Sequence, residues 1–309
     1  MAGATSVMTP RDPRPIVAAI GMATVDYLYV LPRHPAEDTE NPVSEHHIVV
    51  GGPAGRGAIA AARLGGEVRL LATCGTGTHA GVLQGEITAQ GAAADWVAAE
   101  APSQRSAVIV ASDTATRSTI WLGQPRADGS VFDRIEAAIA GADVVLLDCT
   151  DEALTRRVVT ETQARGIPMV VDTGSFKGFT LDILAGVDHA ICPLKWFTTQ
   201  HPDFDVNDLN NWRESIGSSV LAATDGASGG HYVTKGDHTV HSWVAAPVAA
   251  VDTCGAGDTF HGAYAWAVGA GFSVAECFEV ARWSAGLKTT TLGNAGIPSW
   301  GDLTEHLLR

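Results

Sequence analysis

Short apolar runs alternate with segments of helical periodicity along most of the chain. The first run, residues 16–20, ends at Gly21 and is typical of a buried strand. Similar runs predict strands at residues 68–72, 144–148, 169–172, 189–192, 219–224, 232–234 and 239–244. The segments between them predict helices at residues 54–64, 81–90, 152–165, 181–184, 256–270, 274–290 and 303–308. This alternation favours an α/β fold with a mainly parallel central sheet flanked by helices.

Two β-rich regions fall outside that alternation. Residues 24–50 hold two β segments separated by a loop rich in proline and acidic residues. Residues 105–122 resemble a hairpin with a turn at residues 112–114. We therefore predict one domain over residues 15–309, with a small β-sheet lid built from these two regions. The first 14 residues are predicted to be a disordered tail.

The amino-acid composition excludes several classes of protein. The chain has 309 residues, of which 46% are hydrophobic and 17% charged, so it can bury a large core and is not an acidic disordered segment. Its 20 Lys and Arg residues against 34 Asp and Glu residues give a net charge of −14. This acidity argues against a nucleic-acid partner and against an anionic membrane surface.

The cysteines and the N-terminal residues indicate the compartment. The five cysteines are widely spaced and odd in number, which predicts free thiols in a reducing environment. The first fifteen residues lack the apolar core of a signal peptide, and no run of about eighteen apolar residues occurs. We therefore expect a cytoplasmic protein.

Residues 252–260 carry the most informative motif. They read Asp-Thr-Cys-Gly-Ala-Gly-Asp-Thr-Phe and directly precede an apolar helix. Small residues let a ligand approach the backbone, and the first N–H groups of a helix are unpaired and favour an anion. Asp258 lies in the same first turn, where a carboxylate is a candidate general base for a hydroxyl that attacks the bound anion.

Two other interpretations of this motif exist. Asp258 is also a residue type that caps helices. A dinucleotide-binding fingerprint would need a third glycine where Phe260 stands, and it would lie near an early strand. The position of the motif near the C-terminus therefore disfavours an oxidoreductase, and the lack of a Walker A string excludes a P-loop nucleotide site.

Four segments together resemble the ribokinase-like carbohydrate kinases, also called the PfkB family. Residues 252–260 are similar to the family's C-terminal signature, and residues 51–54 with the Ala-rich helix that follows are similar to its N-terminal glycine motif. Residues 224–229 are similar to its T-x-G-x-x-G nucleotide loop, and residues 294–298 to its C-terminal segment. The order and spacing agree over nearly the whole chain. The resemblance implies ATP-dependent transfer of phosphate to a sugar hydroxyl beneath a β lid.

The resemblance also implies roles for individual residues. Asp258 would be the base, and the amides of Gly255, Ala256 and Gly257 would hold the charge on the transferring phosphoryl group. The residues expected at the sugar are Asp26, Gly51 and Gly52. Those expected at the nucleotide are Thr224, Gly226, Gly229, Asp252 and Asn294. Asp252 would order the anion hole, hold a monovalent cation such as K⁺, or serve only as a structural acceptor for amides. Mg²⁺ would bridge the phosphates of ATP. No set of protein metal ligands is predicted.

The sequence departs from the family pattern at three places. Arg56 stands where relatives have a sugar-binding Asn, and a guanidinium suits an anionic group, so one hypothesis is an anionic or otherwise unusual sugar as acceptor. The alternative is that Arg56 faces solvent or pairs with an acidic neighbour such as Glu45. Cys192 and Lys195 stand at the N-x-x-E positions, so the metal is organised differently, or Lys195 contacts phosphate or is merely exposed. Residues 74–78 replace a G-D-D segment of the acceptor pocket.

The resemblance also suggests an acceptor class, and the open lid suggests an oligomer. The G-G-P-A and A-G-I-P segments look most like those of kinases for ketohexose derivatives, such as ketohexokinase and sulfofructose kinase. A nucleoside kinase of the same fold, and an inactive sugar- or nucleotide-binding regulator, remain alternatives. We also predict a homodimer through the lid, because an open sheet leaves edges or an apolar face to cover.

Overall fold

The computed structural model describes residue 12, residues 14–123 and residues 129–307 of the chain. In chain order its strands are β1 (Ile16–Gly21), β2 (Thr24–Leu31), β3 (Glu45–Gly51), β4 (Glu67–Thr76), β5 (Ala93–Pro102), β6 (Arg105–Ala111), β7 (Thr116–Trp121), β8 (Val144–Asp148), β9 (Met169–Asp172), β10 (His189–Pro193), β11 (Val220–Thr224), β12 (Gly230–Thr234) and β13 (Asp237–Trp243). The helices are α1 (Pro53–Arg63), α2 (Thr78–Ala89), α3 (Gly129–Ile139), α4 (Glu152–Arg165), α5 (Thr180–Leu184), α6 (Leu194–Gln200), α7 (Leu209–Ile216), α8 (Ala256–Gly269), α9 (Val274–Lys288) and α10 (Trp300–Leu307).

The larger sheet has nine strands in the order β13-β12-β11-β10-β9-β8-β1-β4-β5. The strands from β11 to β5 are parallel, and β12 and β13 continue the sheet antiparallel. Apolar side chains fill both faces: one core cluster joins the sheet to α1, α8 and α9, and a second joins it to α3 and α4. The predicted α/β fold with a mainly parallel sheet flanked by helices is therefore confirmed.

The smaller sheet is separate, with the strand order β3-β2-β6-β7. Its register forms rows that run across all four strands. Ile48, Tyr27, Ala107 and Ile120 are successive partners in one row. The neighbouring row carries Asp26 and its partner Ser106. Because side chains alternate between the faces of a strand, these two rows point to opposite sides of the sheet.

Some elements differ from their predictions. The sequence interpretation missed β5, α3, α6 and α7. Strand β5 begins Ala-Ala-Asp-Trp, with few of the β-branched residues that mark a strand, and α7 carries two Asn residues in its first turn, where helix propensity is low. Packing on the large sheet outweighs these weak local signals. The predicted tail, residues 1–14, lies almost wholly outside the described residues, and the domain boundary at residue 15 stays a prediction.

Two further observations concern the cysteines and the length of the apolar helices. All five cysteines are buried and unpaired with one another. Among the helices that the structure describes, none is long and apolar enough to span a bilayer.

Candidate active site

A cleft of about 1160 Å³ separates the small sheet from the carboxyl edge of the large one. Its walls come from the inner face of β2, β6 and β7, from the start of α1, from the start of α8, and from the segments that follow β8 and β9. The Thr253 hydroxyl donates to the carbonyl of Ala115 at 3.2 Å, which joins the β6–β7 turn to the segment before α8. The motif residues and the small sheet therefore face one another across this cleft.

The N-terminus of α8 presents unpaired amides to the cleft. Gly255 caps the helix with φ 76°, a left-handed conformation that favours glycine, and a Cβ there would lie 2.3 Å from the Arg56 side chain. A Cβ on Gly257 would meet nothing within 4 Å, so this backbone is open to a ligand. The Ala256 amide donates to the Thr253 carbonyl at 3.3 Å, and Ala256 does not line the cleft. Of the three predicted anion-hole amides, those of Gly255 and Gly257 lie at the cleft.

Arg56 connects the residues predicted for the sugar and for the base. It lies in the first turn of α1 and is only 3% exposed. Its Nη2 donates to Asp26 Oδ2 at 3.0 Å, and its Nη1 donates to Asp258 Oδ2 at 2.7 Å. Its Nε donates to Asn294 Oδ1 at 3.0 Å. Arg56 therefore does not face solvent; it pairs with acidic neighbours, as the alternative expected, but these are Asp26 and Asp258 and not Glu45.

The charge balance of this cluster limits what Arg56 can bind. Burial alone would lower the pKa of Arg56, but the negative groups around it, including Asp258 and Asp26, outweigh burial and raise this pKa above its ordinary value. Asp26 also accepts hydrogen bonds from the hydroxyls of Thr24 at 2.7 Å and Ser106 at 2.6 Å. With one guanidinium between two carboxylates, the cluster has no positive charge left for an anionic acceptor.

The glycines before α1 make room for this cluster. A Cβ on Gly51 would lie 1.9 Å from the Asp26 carboxylate, and one on Gly52 would lie 2.5 Å from the Met22 carbonyl. Gly52 has φ 84° and lines the cleft, whereas Gly51 lies behind Asp26. Gly51 is therefore required for the placement of Asp26, in addition to any contact with a ligand.

The comparisons with known proteins agree with this architecture. Residues 15–300 match the model of the family described as pfkB family carbohydrate kinase. The chain belongs to the PfkB family. It is thus a phosphotransferase with a hydroxyl group as its acceptor, and the predicted family and enzyme class are confirmed.

Solved structures show the same fold for this PfkB kinase. Ribokinase from Giardia lamblia is 17% identical with a TM-score of 0.82, and the match covers 96% of this chain and 99% of that one. Arabidopsis thaliana ribokinase, complexed with ribose and ATP, is 19% identical with a TM-score of 0.75, covering 97% and 99%. The tetrameric inhibited form of phosphofructokinase-2 from Escherichia coli is 15% identical with a TM-score of 0.77, covering 96% and 99%.

Three of the residues predicted for the nucleotide, Thr224, Gly226 and Gly229, lie apart from the Arg56 cluster. Thr224 ends β11, and Gly226 and Gly229 shape the turn that leads to β12 with φ of 52° and 92°. This turn belongs to the same carboxyl edge of the large sheet but does not line the cleft of the kinase. Asn294 instead contacts Arg56 and donates to the Val50 carbonyl at 2.8 Å, so the structure places it beside the acceptor residues.

Three cationic side chains of the cleft were missed in the sequence interpretation: Arg117 on β7, Arg156 on α4 and Lys177 after β9. Arg156 is already paired with Glu152 at 2.8 Å. Arg117 has no ion pair or hydrogen bond with any other described residue. Among the same residues, the Lys177 ammonium donates only to the carbonyls of Thr173 and Ser175, at 3.3 and 3.2 Å. Alternation along β7 could have identified Arg117, because residues 117, 119 and 121 all face the cleft.

Within the described part of the chain, no group of three or more His, Cys, Asp or Glu side chains could hold a metal ion. Cys192 is buried, and Lys195 is exposed on α6 and does not line the cleft. The replaced N-x-x-E positions of this kinase therefore hold a buried thiol and an exposed ammonium, neither of which lines the cleft.

Proposed function

We propose that this kinase transfers the γ-phosphate of MgATP to a hydroxyl of a sugar derivative bound in the cleft. One observation carries the proposal: Asp258, the open amides of Gly255 and Gly257, and Asp26 line the same cleft. The use of ATP is supported by relatives, since Arabidopsis ribokinase was solved with ribose and ATP and Cryptococcus neoformans ribokinase with ADP. The turn holding Thr224, Gly226 and Gly229 is the proposed nucleotide contact.

The proposed mechanism uses few groups. Asp26 accepts hydrogen bonds from sugar hydroxyls, and Asp258 takes the proton from the attacking hydroxyl. The amides at the start of α8 stabilise the charge that develops on the phosphoryl group. Arg56 positions both carboxylates without touching the phosphate. Phosphoryl transfer depends chiefly on such positioning and on charge stabilisation, so this set of groups is sufficient.

We propose that the acceptor is a ketohexose derivative with an anionic group that Arg117 binds. Arg56 cannot serve this purpose, since two carboxylates already neutralise it. Arg117 faces the cleft, and within the described residues its guanidinium is unpaired. A guanidinium in this situation favours phosphate, sulfonate or carboxylate groups. Lys177 would add a second positive charge to the same cleft.

A panel of acceptors tests the proposed function. The kinase is incubated with MgATP and with neutral ketohexoses, their phosphorylated, sulfonated and carboxylated analogues, and nucleosides, and ADP formation is measured. We expect ADP with the anionic ketohexose derivatives. Turnover of nucleosides alone would replace the proposal with a nucleoside kinase. Binding of sugar and ATP without turnover would replace it with an inactive regulator.

Arg117→Met tests the anionic subsite. We expect kcat/KM for the preferred anionic acceptor to fall by about tenfold to a hundredfold, since a hydrogen-bonded ion pair with the substrate is lost. The kcat/KM for a neutral ketohexose should not change. The control is Arg105→Met, because Arg105 is on the same sheet but lines its outer face. An equal loss for neutral and anionic acceptors would refute the subsite.

We further propose that the outer face of the small sheet forms a homodimer. Ile48 is 47% exposed and Ile120 66% exposed, and both lie in the outer row of the sheet together with Tyr27. Exposed apolar side chains clustered in this way are typical of an interaction surface. E. coli phosphofructokinase-2, which shares the fold, has been solved as a tetramer.

Ile120→Asp tests this interface. We expect the variant to be monomeric in light scattering at concentrations where the wild-type chain is dimeric, because a carboxylate would be buried without a partner. The matched control is Val244→Asp, since Val244 is also exposed, at 72%, but lies outside the small sheet. A monomeric wild-type chain, or an Ile120→Asp variant that stays dimeric, would contradict the proposal.

A further inference from the structure

Lys288, the last residue of α9, has a fully buried ammonium. Its Nζ lies 3.0 Å from the carbonyl oxygen of Asp252 and 3.1 Å from Asp252 Oδ2, and both side chains are 0% exposed. Burial lowers the pKa of Lys288, and the Asp252 carboxylate opposes that shift. A buried ion pair gains little stability over apolar packing, so its retention here calls for another explanation.

Asp252 organises the turn that leads to the anion site. Its Oδ1 accepts from the Cys254 amide at 2.8 Å, and its Oδ2 accepts from the Gly293 amide at 3.0 Å. Its own amide donates to the Thr289 carbonyl at 3.0 Å. Cys254 directly precedes Gly255, the cap of α8. The carboxylate therefore fixes the backbone from which the cleft amides project, and Lys288 holds that carboxylate.

The same oxygens are the ones that a monovalent cation would need at Asp252. A bound K⁺ requires carboxylate and carbonyl oxygens free to approach it. Here the Asp252 carbonyl oxygen and Asp252 Oδ2 are already at hydrogen-bond distance from the Lys288 ammonium. The remaining carboxylate oxygen, Oδ1, accepts from the Cys254 amide. The residues around Asp252 therefore do not fit a K⁺ site.

We propose that the Lys288 ammonium acts as a covalently attached monovalent cation that positions the Asp252–Cys254 turn, so that this kinase needs no K⁺. Lys288 is a positioning residue: it acts on the amides of Gly255 and Gly257 through Asp252. The link to turnover rests on the proposed function, whereas the occupancy of the cation position does not.

The test uses the full chain and three variants. Lys288→Ala leaves a cation-sized space beside Asp252, Lys288→Met fills that space with an uncharged side chain, and Lys235→Ala removes an exposed lysine as control. Turnover and thermal unfolding are measured in tetramethylammonium chloride, NH₄Cl and KCl at equal ionic strength. Tetramethylammonium serves as the inert ion because it is too large for the space and donates no hydrogen bond.

We expect wild-type turnover to be the same in all three salts. Lys288→Ala should lose about 10²-fold in kcat with little change in KM for ATP, because the amides lose their alignment. NH₄⁺ or K⁺ should restore part of the kcat and raise the unfolding temperature of Lys288→Ala, but neither should affect Lys288→Met.

Several results would overturn the inference. They are wild-type turnover that depends on K⁺, a Lys288→Ala variant that behaves like Lys235→Ala, and NH₄⁺ effects that are equal in Lys288→Ala and Lys288→Met. If Lys288→Ala does not fold, the salt dependence of the wild type decides. If the wild type phosphorylates no sugar, the proposed function fails, and the unfolding temperatures alone decide on the cation position.

Discussion

Asp258→Asn is expected to lower kcat by about 10²–10⁴-fold, because the amide cannot take the proton of the acceptor hydroxyl. The substitution is nearly isosteric and keeps an oxygen that can accept from Arg56 Nη1, now 2.7 Å from Asp258 Oδ2. Binding of acceptor and of ATP should therefore remain, and it can be measured by titration calorimetry alongside the steady-state rate.

Asp203→Asn provides the control for this experiment, since Asp203 is exposed and distant in sequence from the motif. It should retain wild-type turnover. A variant Asp258→Asn with full kcat would exclude Asp258 as the base and would leave it the role of a helix cap. Loss of acceptor binding without loss of kcat would assign it to the sugar site instead.

Arg56→Met should lower the free energy of unfolding by about 3–5 kcal/mol, because it leaves the carboxylates of Asp26 and Asp258 without their shared partner. The Arg56 side chain is 3% exposed, and those of Asp26 and Asp258 are 7% and 21% exposed, so water screens the remaining repulsion poorly. Equilibrium unfolding in urea measures this change. Activity should fall as well, since both carboxylates lose their positions.

Two further variants separate charge from packing. Arg56→Met combined with Asp26→Asn removes one of the unpaired carboxylates and should recover part of the lost stability. Arg33→Met breaks an exposed pair with Asp113 and should cost no more than about 1 kcal/mol. Our interpretation of the cluster would be wrong if Arg56→Met were as stable as Arg33→Met.

Local patterns were sufficient for much of the fold. Apolar runs such as β8 and β9 are buried along their whole length, so the sequence shows them as continuous hydrophobic segments. The two β-rich regions that form the small sheet were recognised because they interrupt the alternation of strands and helices. Strand β5 and helix α7 were not, because their residues have weak local preferences and depend on contacts with the large sheet.

The cleft residues also include some that local sequence patterns predict and others that they do not. The motif placed Asp258 in the first turn of a helix, because glycine and acidic residues at a helix start have a local meaning. No local sequence pattern predicts the cluster around Arg56, since its partners Asp26, Asp258 and Asn294 lie 30, 202 and 238 residues away along the chain. Whether that guanidinium would bind a ligand or two carboxylates depends on tertiary packing, which no local pattern contains.

The two rows of side chains in the small sheet determine which sequence changes the cleft can tolerate. Asp26 and Tyr27 are neighbours on β2, yet one faces the cleft and the other faces outward. A substitution in the outer row leaves the cleft side chains in place, whereas the insertion or deletion of one residue within β2 exchanges the two faces. Point substitutions can therefore change the outer surface without moving the cleft side chains, but the length of this strand is constrained by the cleft beneath it.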